Sequence, residues 1–115
     1  MPVRSSGSWA WILHRFTAAL LILLLGAHFW VLHFVPESAM ITFGGVSTRL
    51  QQVLFWIIDY GLLVAGLYHG LNGLRSVALD YWPRTNRSLA VVLLIAGLAA
   101  AVYGAGALGI FIRGL

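Results

Sequence analysis

The sequence predicts an all-α membrane protein with three transmembrane helices. Its 115 residues are 61% hydrophobic and only 9% charged, whereas ordinary globular domains contain about 25% charged residues. A soluble chain of this length has too high a surface-to-volume ratio to bury so much apolar surface. Three apolar runs, each long enough for the roughly 20 residues that cross a bilayer, occupy nearly all of what we take as one membrane domain, residues 1–115.

The first predicted helix covers residues 9–35. Tryptophans stand near both of its ends, and indole rings favour the headgroup level of a bilayer. The Pro-Glu-Ser sequence at residues 36–38 is expected to end the helix, and residues 39–49, which contain two adjacent glycines, are expected to form a loop. Because the first apolar run is too long for the core of a cleaved signal peptide, we expect it to be retained as a helix.

The second predicted helix covers residues 52–79 and is polar for a membrane span. It contains Asp59, His69, Asn72 and Arg75, and ionisable side chains inside a bilayer are costly and usually functional. For Asp59 the sequence suggests no role beyond pairing with a partner chain.

The third predicted helix covers residues 89–112 and follows a connection at residues 82–87 that contains a proline. It consists mainly of Ala, Gly, Leu and Val. Four glycines in or near the middle of this helix indicate close packing against another helix. They are Gly97, Gly104, Gly106 and Gly109.

The distribution of arginine predicts the orientation of the chain in the membrane. Five of the seven basic residues belong to the N-terminal side and to the second connection, and two belong to the opposite side. The positive-inside rule then places the N-terminus in the cytoplasm and the C-terminus outside. The formal net charge of +4 therefore reflects the membrane interface, and we expect no nucleic acid partner. The absence of cysteine excludes disulfides, zinc thiolate sites and iron–sulfur clusters held by this chain.

His69 is the most informative polar residue. It lies inside an apolar helix with glycines at 66, 70 and 73. An imidazole nitrogen can ligate haem iron, and the missing side chains would leave room for a porphyrin. The alternative is a neutral histidine that forms a hydrogen bond with a neighbouring helix, and the spacing alone leaves both interpretations open.

Asp80 and Tyr81 follow His69 by eleven and twelve residues. Eleven residues are close to three helical turns, so Asp80 returns to nearly the same face about 16 Å further along the axis. This places the pair at the predicted cytoplasmic interface, where Tyr81 can donate a hydrogen bond to a quinone carbonyl. The alternative is an ordinary interfacial aromatic belt beside a helix-end carboxylate.

Arg15 and Arg75 lie just inside the predicted cytoplasmic ends of their helices. A guanidinium pairs well with a carboxylate such as a haem propionate. An isolated arginine at this depth more often extends to the lipid headgroups, but two on one side near His69 favour propionates. His14 adjoins Arg15 and either reaches the same ligand or faces water.

His28 and His33 lie further along the first helix. If Arg15 and Arg75 share one depth, His28 and His69 differ in depth by about 10 Å at the helical rise per residue, so they are not expected to clamp one iron. Two alternatives follow: His69 takes its second axial partner from another subunit, or His28 belongs to a second haem. The simplest interpretation of His28 and His33 is an interhelical hydrogen bond or a position at the outer surface.

Two runs of residues resemble the hydrophobic anchor subunits of succinate dehydrogenase, particularly the smaller of the two anchors. Residues 13–18, Leu-His-Arg-Phe-Thr-Ala, resemble a His-Arg-x-Ser/Thr-Gly/Ala element on the first helix of that family. Trp11 stands where the larger anchor often has a quinone-site serine, which favours the smaller anchor. The second run consists of His69, Gly73, Arg75, Asp80 and Tyr81 at the family's spacing.

The resemblance implies a non-catalytic subunit of a succinate:quinone oxidoreductase in a bacterial plasma membrane. In that family two small anchors form a helical bundle that holds haem b, and they carry a flavoprotein and an iron–sulfur protein on the cytoplasmic side. By resemblance, His69 is one axial haem ligand and the second anchor subunit supplies the other. Asp80 and Tyr81 would border the quinone site, and Arg15 with His14 would contact a propionate or the quinone region. The alternatives are a fumarate reductase anchor and a cofactor-free structural subunit.

Overall fold

The computed structural model describes residues 8–34 and 42–113, which form four α-helices. Three of them, the last taken with a 3₁₀ turn at Pro83–Thr85 that precedes it, are long and apolar enough to cross a membrane. The predicted all-α fold with three membrane spans is thereby confirmed. The helices are α1 (Ser8–Phe34), α2 (Phe43–Leu50), α3 (Val53–Tyr81) and α4 (Asn86–Arg113).

The turn between α3 and α4 follows from the proline. Trp82 has φ −130° and ψ 69°, which is outside the helical region, because the ring of Pro83 disfavours helical backbone in the residue before it. Pro83 then opens the 3₁₀ turn, where its missing N–H has no helical partner to lose. The three long helices lie within a few residues of the predicted spans, and α4 begins three residues early. The predicted stop at residues 36–38 lies outside the described residues.

The prediction of a loop at residues 39–49 is wrong for most of its length, because α2 occupies Phe43–Leu50. Thr42 caps this helix by accepting a hydrogen bond from Gly45 N at 3.2 Å. Ser47 donates to the carbonyl of Phe111 in α4 at 3.0 Å, and Leu50 is only 2% exposed. Eight residues with two glycines are too short and too flexible to hold a helix alone, so tertiary contacts stabilise α2.

The membrane helices form a single layer with α3 in the middle. Within the described residues α1 and α4 each pack on α3 and make no contact with each other. Glycine allows the close approach on both sides: Gly61 of α3 lies against Leu24, and Gly97 of α4 lies against Leu71. A Cβ at Gly97 would stand 2.8 Å from a Leu71 methyl.

This layer has almost no interior. Only four of the described residues are buried, and they are Thr17, Ser47, Leu50 and Ala65. Most of the large apolar side chains remain exposed on the two broad faces. Such surface is stable only against lipid or against the helices of other subunits. We therefore expect lipid or other subunits to cover both faces.

Two glycines of α4 provide a matched test of the α3–α4 contact. A Cβ at Gly104 would overlap the side chain of Leu63, whereas a Cβ at Gly106 would meet nothing within 4 Å. We expect Gly104→Ala to lower the free energy of unfolding by about 1–3 kcal/mol relative to Gly106→Ala through overpacking. Both variants gain the same helix propensity, so their difference in reversible unfolding in detergent isolates the clash. Equal stabilities would show that α3 and α4 are not packed at this position.

Candidate functional site

The residues predicted to carry function on α1 and α3 meet at one contact. The imidazole rings of His14 and His69 stack with their centroids 4.1 Å apart and their planes 9° from parallel. Nδ1 of His69 lies 3.2 Å from the carbonyl oxygen of His14 and 3.3 Å from the hydroxyl of Thr17. Nδ1 of His14 lies 3.1 Å from the amide nitrogen of Asn72. The structure therefore brings two predicted site residues together and adds Thr17 and Asn72 to them.

Thr17 is the buried residue of α1, with 8% of its surface exposed. Its hydroxyl is 2.8 Å from the carbonyl of Leu13 and 3.0 Å from that of His14, and it can donate to either. A helical threonine satisfies its own donor in this way and keeps a lone pair for a neighbour. Thr17 thus presents an acceptor to His69 at the centre of the interface.

The glycines around His69 divide between two environments. A Cβ at Gly66 would meet Leu21 at 3.9 Å, and a Cβ at Gly73 would meet Cε1 of His14 at 3.8 Å. These two glycines therefore let α1 approach α3 closely. Gly70 has nothing within 4 Å, so of the three it is the one that leaves open space beside His69.

The predicted interfacial residues occupy the ends of the helices. Tyr81 is the last residue of α3 and is 73% exposed, and Asp80 beside it is also exposed. The guanidinium of Arg15 lies 4.2 Å from the centre of the Trp11 ring, a cation–π contact. The end of α3 thus presents a phenol and a carboxylate on the surface of the chain, whereas Arg15 lies next to His14 in the first part of α1.

Arg75 lies on a different side of α3 from His69. It donates through Nη2 to the side-chain oxygen of Asn86 at the start of α4, and its Nε is buried without a hydrogen-bond partner among the described residues. It also lines an apolar cleft of about 520 Å³ between α3 and α4, together with Asn72 and Tyr68. The cleft has mainly apolar walls with a few polar lining residues, as a ligand with a polar head and an apolar body requires.

A second polar contact joins α1, α2 and α3 at the other end of the layer. Nδ1 of His28 lies 2.7 Å from Oδ1 of Asp59, and Nη2 of Arg49 lies 3.2 Å from Oδ2 of the same carboxylate. The side chains of Arg49 and Asp59 are 9% and 14% exposed. The expectation that Asp59 pairs with another chain is wrong, since both of its partners belong to this one. For His28 the interhelical hydrogen bond is confirmed.

The two contacts also show how α1 and α3 are aligned. Asp59 precedes His69 by ten residues, so His28 lies about 15 Å from the level of His69. The expected difference was about 10 Å, on the assumption that Arg15 and Arg75 share one depth. Arg15 instead lies at about the level of His69. It is therefore further from the Tyr81 end of α3 than Arg75 is. His28 and His69 are separated as predicted, by a larger distance.

The last histidine of α1 is exposed on the surface of the chain, and its predicted position at the outer membrane surface stays a prediction. His33 is exposed, its Nδ1 lies 2.9 Å from the carbonyl oxygen of Phe29, and its ring stacks on the ring of Phe29. Within residues 8–34 and 42–113 no group of three or more His, Asp or Glu side chains could hold a metal ion. Iron at His69 would therefore have to arrive with a macrocycle that supplies most of its ligands.

Sequence reasoning missed the roles of Thr17, Asn72 and Arg49 as partners of the histidines and of Asp59. The signal was present only in general form, because a polar group inside a membrane needs a polar partner. Identifying that partner requires the rotation and vertical alignment of the helices, and neither can be read from one helix at a time.

Comparison with known proteins places the chain in a family of membrane subunits. A family model described as succinate dehydrogenase/fumarate reductase transmembrane subunit matches residues 3–104. A succinate dehydrogenase hydrophobic membrane anchor subunit of Archaeoglobus fulgidus is 34% identical over 97 residues, which are 83% of this chain and 82% of that protein.

Two further relatives match a smaller share of their own length. Succinate dehydrogenase 2 membrane subunit SdhC of Mycobacterium tuberculosis is 30% identical over 96 residues, 79% of this chain and 66% of that protein. A hydrophobic membrane anchor subunit of succinate dehydrogenase in Halobacterium salinarum is 32% identical over 76 residues, 66% of this chain and 58% of that protein. The chain thus spans just under two thirds of the mycobacterial relative. One relative is named membrane subunit SdhC and the other two are named hydrophobic membrane anchor subunit. These names do not distinguish the two anchors for this chain, so its assignment to the smaller anchor stays a prediction.

The cluster of His28, Asp59 and Arg49 can be tested by a double-mutant cycle. Asp59→Asn removes the carboxylate charge and leaves Arg49 buried without its counter-charge, which we expect to lower the free energy of unfolding by about 3–5 kcal/mol. Arg49→Gln combined with Asp59→Asn should cost less than the sum of the two single changes, because neither charge is then left alone. Unfolding in mixed detergent measures these differences.

Arg113→Gln is the control for the loss of an arginine, since Arg113 is exposed at the end of α4. It should change the stability by less than about 0.5 kcal/mol. Strict additivity of the Arg49 and Asp59 substitutions would contradict the ion pair.

Proposed function

We propose, since this chain belongs to the succinate dehydrogenase/fumarate reductase transmembrane subunit family, that it binds haem b through His69 and helps to bind quinone. The family predicted from the residues of α1 and α3 is confirmed by the family model and by the relatives. An anchor subunit performs no bond chemistry of its own. It supplies a dry helical environment, a ligand and part of a pocket.

The free edge of the His69 imidazole is the observation that carries the haem proposal. Nδ1 of His69 is engaged by the His14 carbonyl and the Thr17 hydroxyl, and Nε2 has no hydrogen bond among the described residues. Metal-ligating histidines commonly use one nitrogen for the metal and the other for a carbonyl or hydroxyl. The stacked ring of His14 covers a face of His69, whereas a metal approaches an imidazole in the plane of the ring. The donor set therefore fits an axial haem ligand.

Open space beside the ring supports the same assignment. Gly70, the next residue after His69, has nothing within 4 Å, and both broad faces of the layer are uncovered. When bound, haem b supplies one-electron transfer within the membrane. The other imidazole at that level, His14, stacks face to face on His69, so it cannot bind the same iron from the opposite side, and we assign the second axial ligand to the second anchor subunit.

The basic residues near this contact are proposed to hold carboxylates. Arg15 is level with His14 and His69, and a guanidinium binds a propionate with charge-assisted hydrogen bonds. Arg75, which lines the cleft between α3 and α4, is a second donor to a propionate or to a ligand in the quinone region. His28, which is engaged by Asp59, is a weaker candidate for a second haem.

Asp80 and Tyr81 are proposed to border the quinone site. Both are exposed at the end of α3, where a partner protein and the headgroup region meet the chain. Tyr81 would donate its hydroxyl proton to a quinone carbonyl, and Asp80 would orient the site or pass protons to it. The positive-inside orientation puts this end in the cytoplasm, on the side where we propose that the iron–sulfur and flavoprotein subunits dock.

The direction of electron flow defines a second candidate function. The matching family model includes fumarate reductase subunits, and the same ligand, donors and quinone pair would serve electron transfer in either direction. We propose succinate oxidation as the main function because the three relatives carry succinate dehydrogenase names.

Removing the proposed ligand tests the haem assignment. We expect His69→Ala to abolish haem b in the purified complex, because it removes the nitrogen that we assign as this chain's iron ligand and Nδ1 of the neighbouring His14 stays engaged by Asn72. A pyridine haemochrome assay measures haem, and the subunit composition of the same sample shows whether the complex assembled.

His33→Ala is the matched control, since His33 is exposed and contacts Phe29 within its own helix. It should retain the haem. Unchanged haem content and redox spectra in the His69→Ala complex would contradict the assignment.

Removing one hydroxyl tests the quinone assignment. We expect Tyr81→Phe to slow quinone reduction by up to about tenfold, the kinetic equivalent of one lost hydrogen bond. Succinate oxidation with an artificial acceptor should survive, because that acceptor takes electrons before the membrane. Tyr103→Phe, which changes an exposed tyrosine of α4, serves as the control. Equal loss of both activities in Tyr81→Phe would argue against a quinone role.

A further inference from the structure

The stacked imidazoles of His14 and His69 have different hydrogen-bond partners. His69 meets oxygen atoms, the His14 carbonyl at 3.2 Å and the Thr17 hydroxyl at 3.3 Å. His14 meets a nitrogen atom, the side-chain amide of Asn72 at 3.1 Å. In each ring the atom concerned is Nδ1, so the two partners can be compared directly.

The partners of His69 determine where its proton lies. A carbonyl oxygen only accepts hydrogen bonds, so Nδ1 of His69 must donate and must carry the proton. In a neutral imidazole the other nitrogen, Nε2, then holds a free lone pair. Thr17 adds a second acceptor at the same nitrogen, since its own proton points to a backbone carbonyl of α1.

The partner of His14 has the opposite effect. The amide nitrogen of Asn72 only donates, so Nδ1 of His14 must accept and must be bare. The proton of a neutral His14 then lies on Nε2. Although the two rings are parallel at 4.1 Å, their protons are on opposite nitrogens.

We propose that Thr17 and Asn72 are positioning residues that hold the two histidines in opposite tautomers and so divide their functions. His69 presents a bare Nε2 and is the ligand. His14 presents an Nε2–H and is a hydrogen-bond donor to an acceptor such as a carboxylate or a quinone carbonyl. The assignment of the acceptors rests on the proposed function, whereas the tautomers rest on the contacts alone.

The division also predicts an electronic effect on a ligand at His69. A hydrogen bond from Nδ1 to an oxygen makes the other nitrogen more basic. A more basic axial ligand stabilises the oxidised iron, so loss of the Thr17 acceptor should raise the midpoint potential of the haem. If Thr17 only filled space, Thr17→Val would leave that potential unchanged. A shift in Thr17→Val that Thr17→Ser reverses therefore indicates a role for the hydroxyl.

Nuclear magnetic resonance of the full chain measures the tautomers without haem. The chain is labelled with ¹⁵N-histidine, reconstituted in lipid nanodiscs at alkaline pH, and assigned with His→Gln variants. We expect His69 to show a protonated Nδ1 and a bare Nε2, and His14 to show the reverse. A bare Nδ1 in His69 or a protonated Nδ1 in His14 overturns the proposal, even if no variant of Thr17 or Asn72 folds.

Two pairs of variants test the positioning residues. Asn72→Asp replaces the donor by an acceptor and should place a proton on Nδ1 of His14, whereas Asn72→Leu should give a mixture of tautomers. Thr17→Val should produce a minor population of His69 protonated at Nε2, and Thr17→Ser should restore the original state. In the purified complex, Thr17→Val should raise the haem midpoint potential and Thr17→Ser should return it. The positioning roles are overturned if the histidine spectra are unchanged in both Asn72→Asp and Thr17→Val and the haem midpoint potential is unchanged in Thr17→Val.

The two proposals fail separately. Haem retained after His69→Ala, with the tautomers as expected, would reject the haem ligand and leave the tautomers standing. Haem lost after His69→Ala, with the tautomers reversed, would reject the positioning roles and leave the ligand standing.

Discussion

The polar groups of α3 must find partners inside a medium that offers no water, and the rest of the structure depends on how they do so. Two contacts satisfy most of them. Thr17 meets His69, and His28 meets Asp59. These pairs are eleven residues apart on α1 and ten apart on α3, or about 16 and 15 Å at the helical rise. Matched spacing on two antiparallel helices fixes both their vertical alignment and the faces they share.

The second contact extends this constraint to α2. Because Asp59 also binds Arg49, a short helix with two glycines is held across the end of the layer, and Ser47 ties it to the last turn of α4. A buried arginine paired with a carboxylate is costly to break. Polar contacts therefore tie α2 to the long helices at this end of the chain, whereas Asp80 and Tyr81 are exposed at the opposite end.

The open arrangement of the three long helices suits a chain that other subunits cover. With α1 and α4 on opposite sides of α3 and out of contact with each other, no residue lies more than one helix from an open face. A ligand as large as a porphyrin cannot be enclosed by such a layer, since enclosure requires a second one. The proposed haem site therefore needs only one imidazole with a free edge from this chain, with the rest supplied by a second subunit.

The sequence by itself determined the fold class, the number of spans and the family, because length, apolar composition and the spacing of polar residues along one helix are local properties. The spacing of His69, Asp80 and Tyr81 along the axis depends only on the pitch of α3, so the sequence predicts it without knowledge of how the helices pack. Tertiary structure alone decided that residues 43–50 form a helix, that Asp59 pairs within the chain, and that His14 stacks on His69. Each of these depends on which faces of two helices meet and at what height. A small error in the vertical alignment of two helices changes which side chains meet. One helical turn moves a side chain by about 5.4 Å, which is more than the length of a hydrogen bond. The assumption that Arg15 and Arg75 share one depth was an error of this kind.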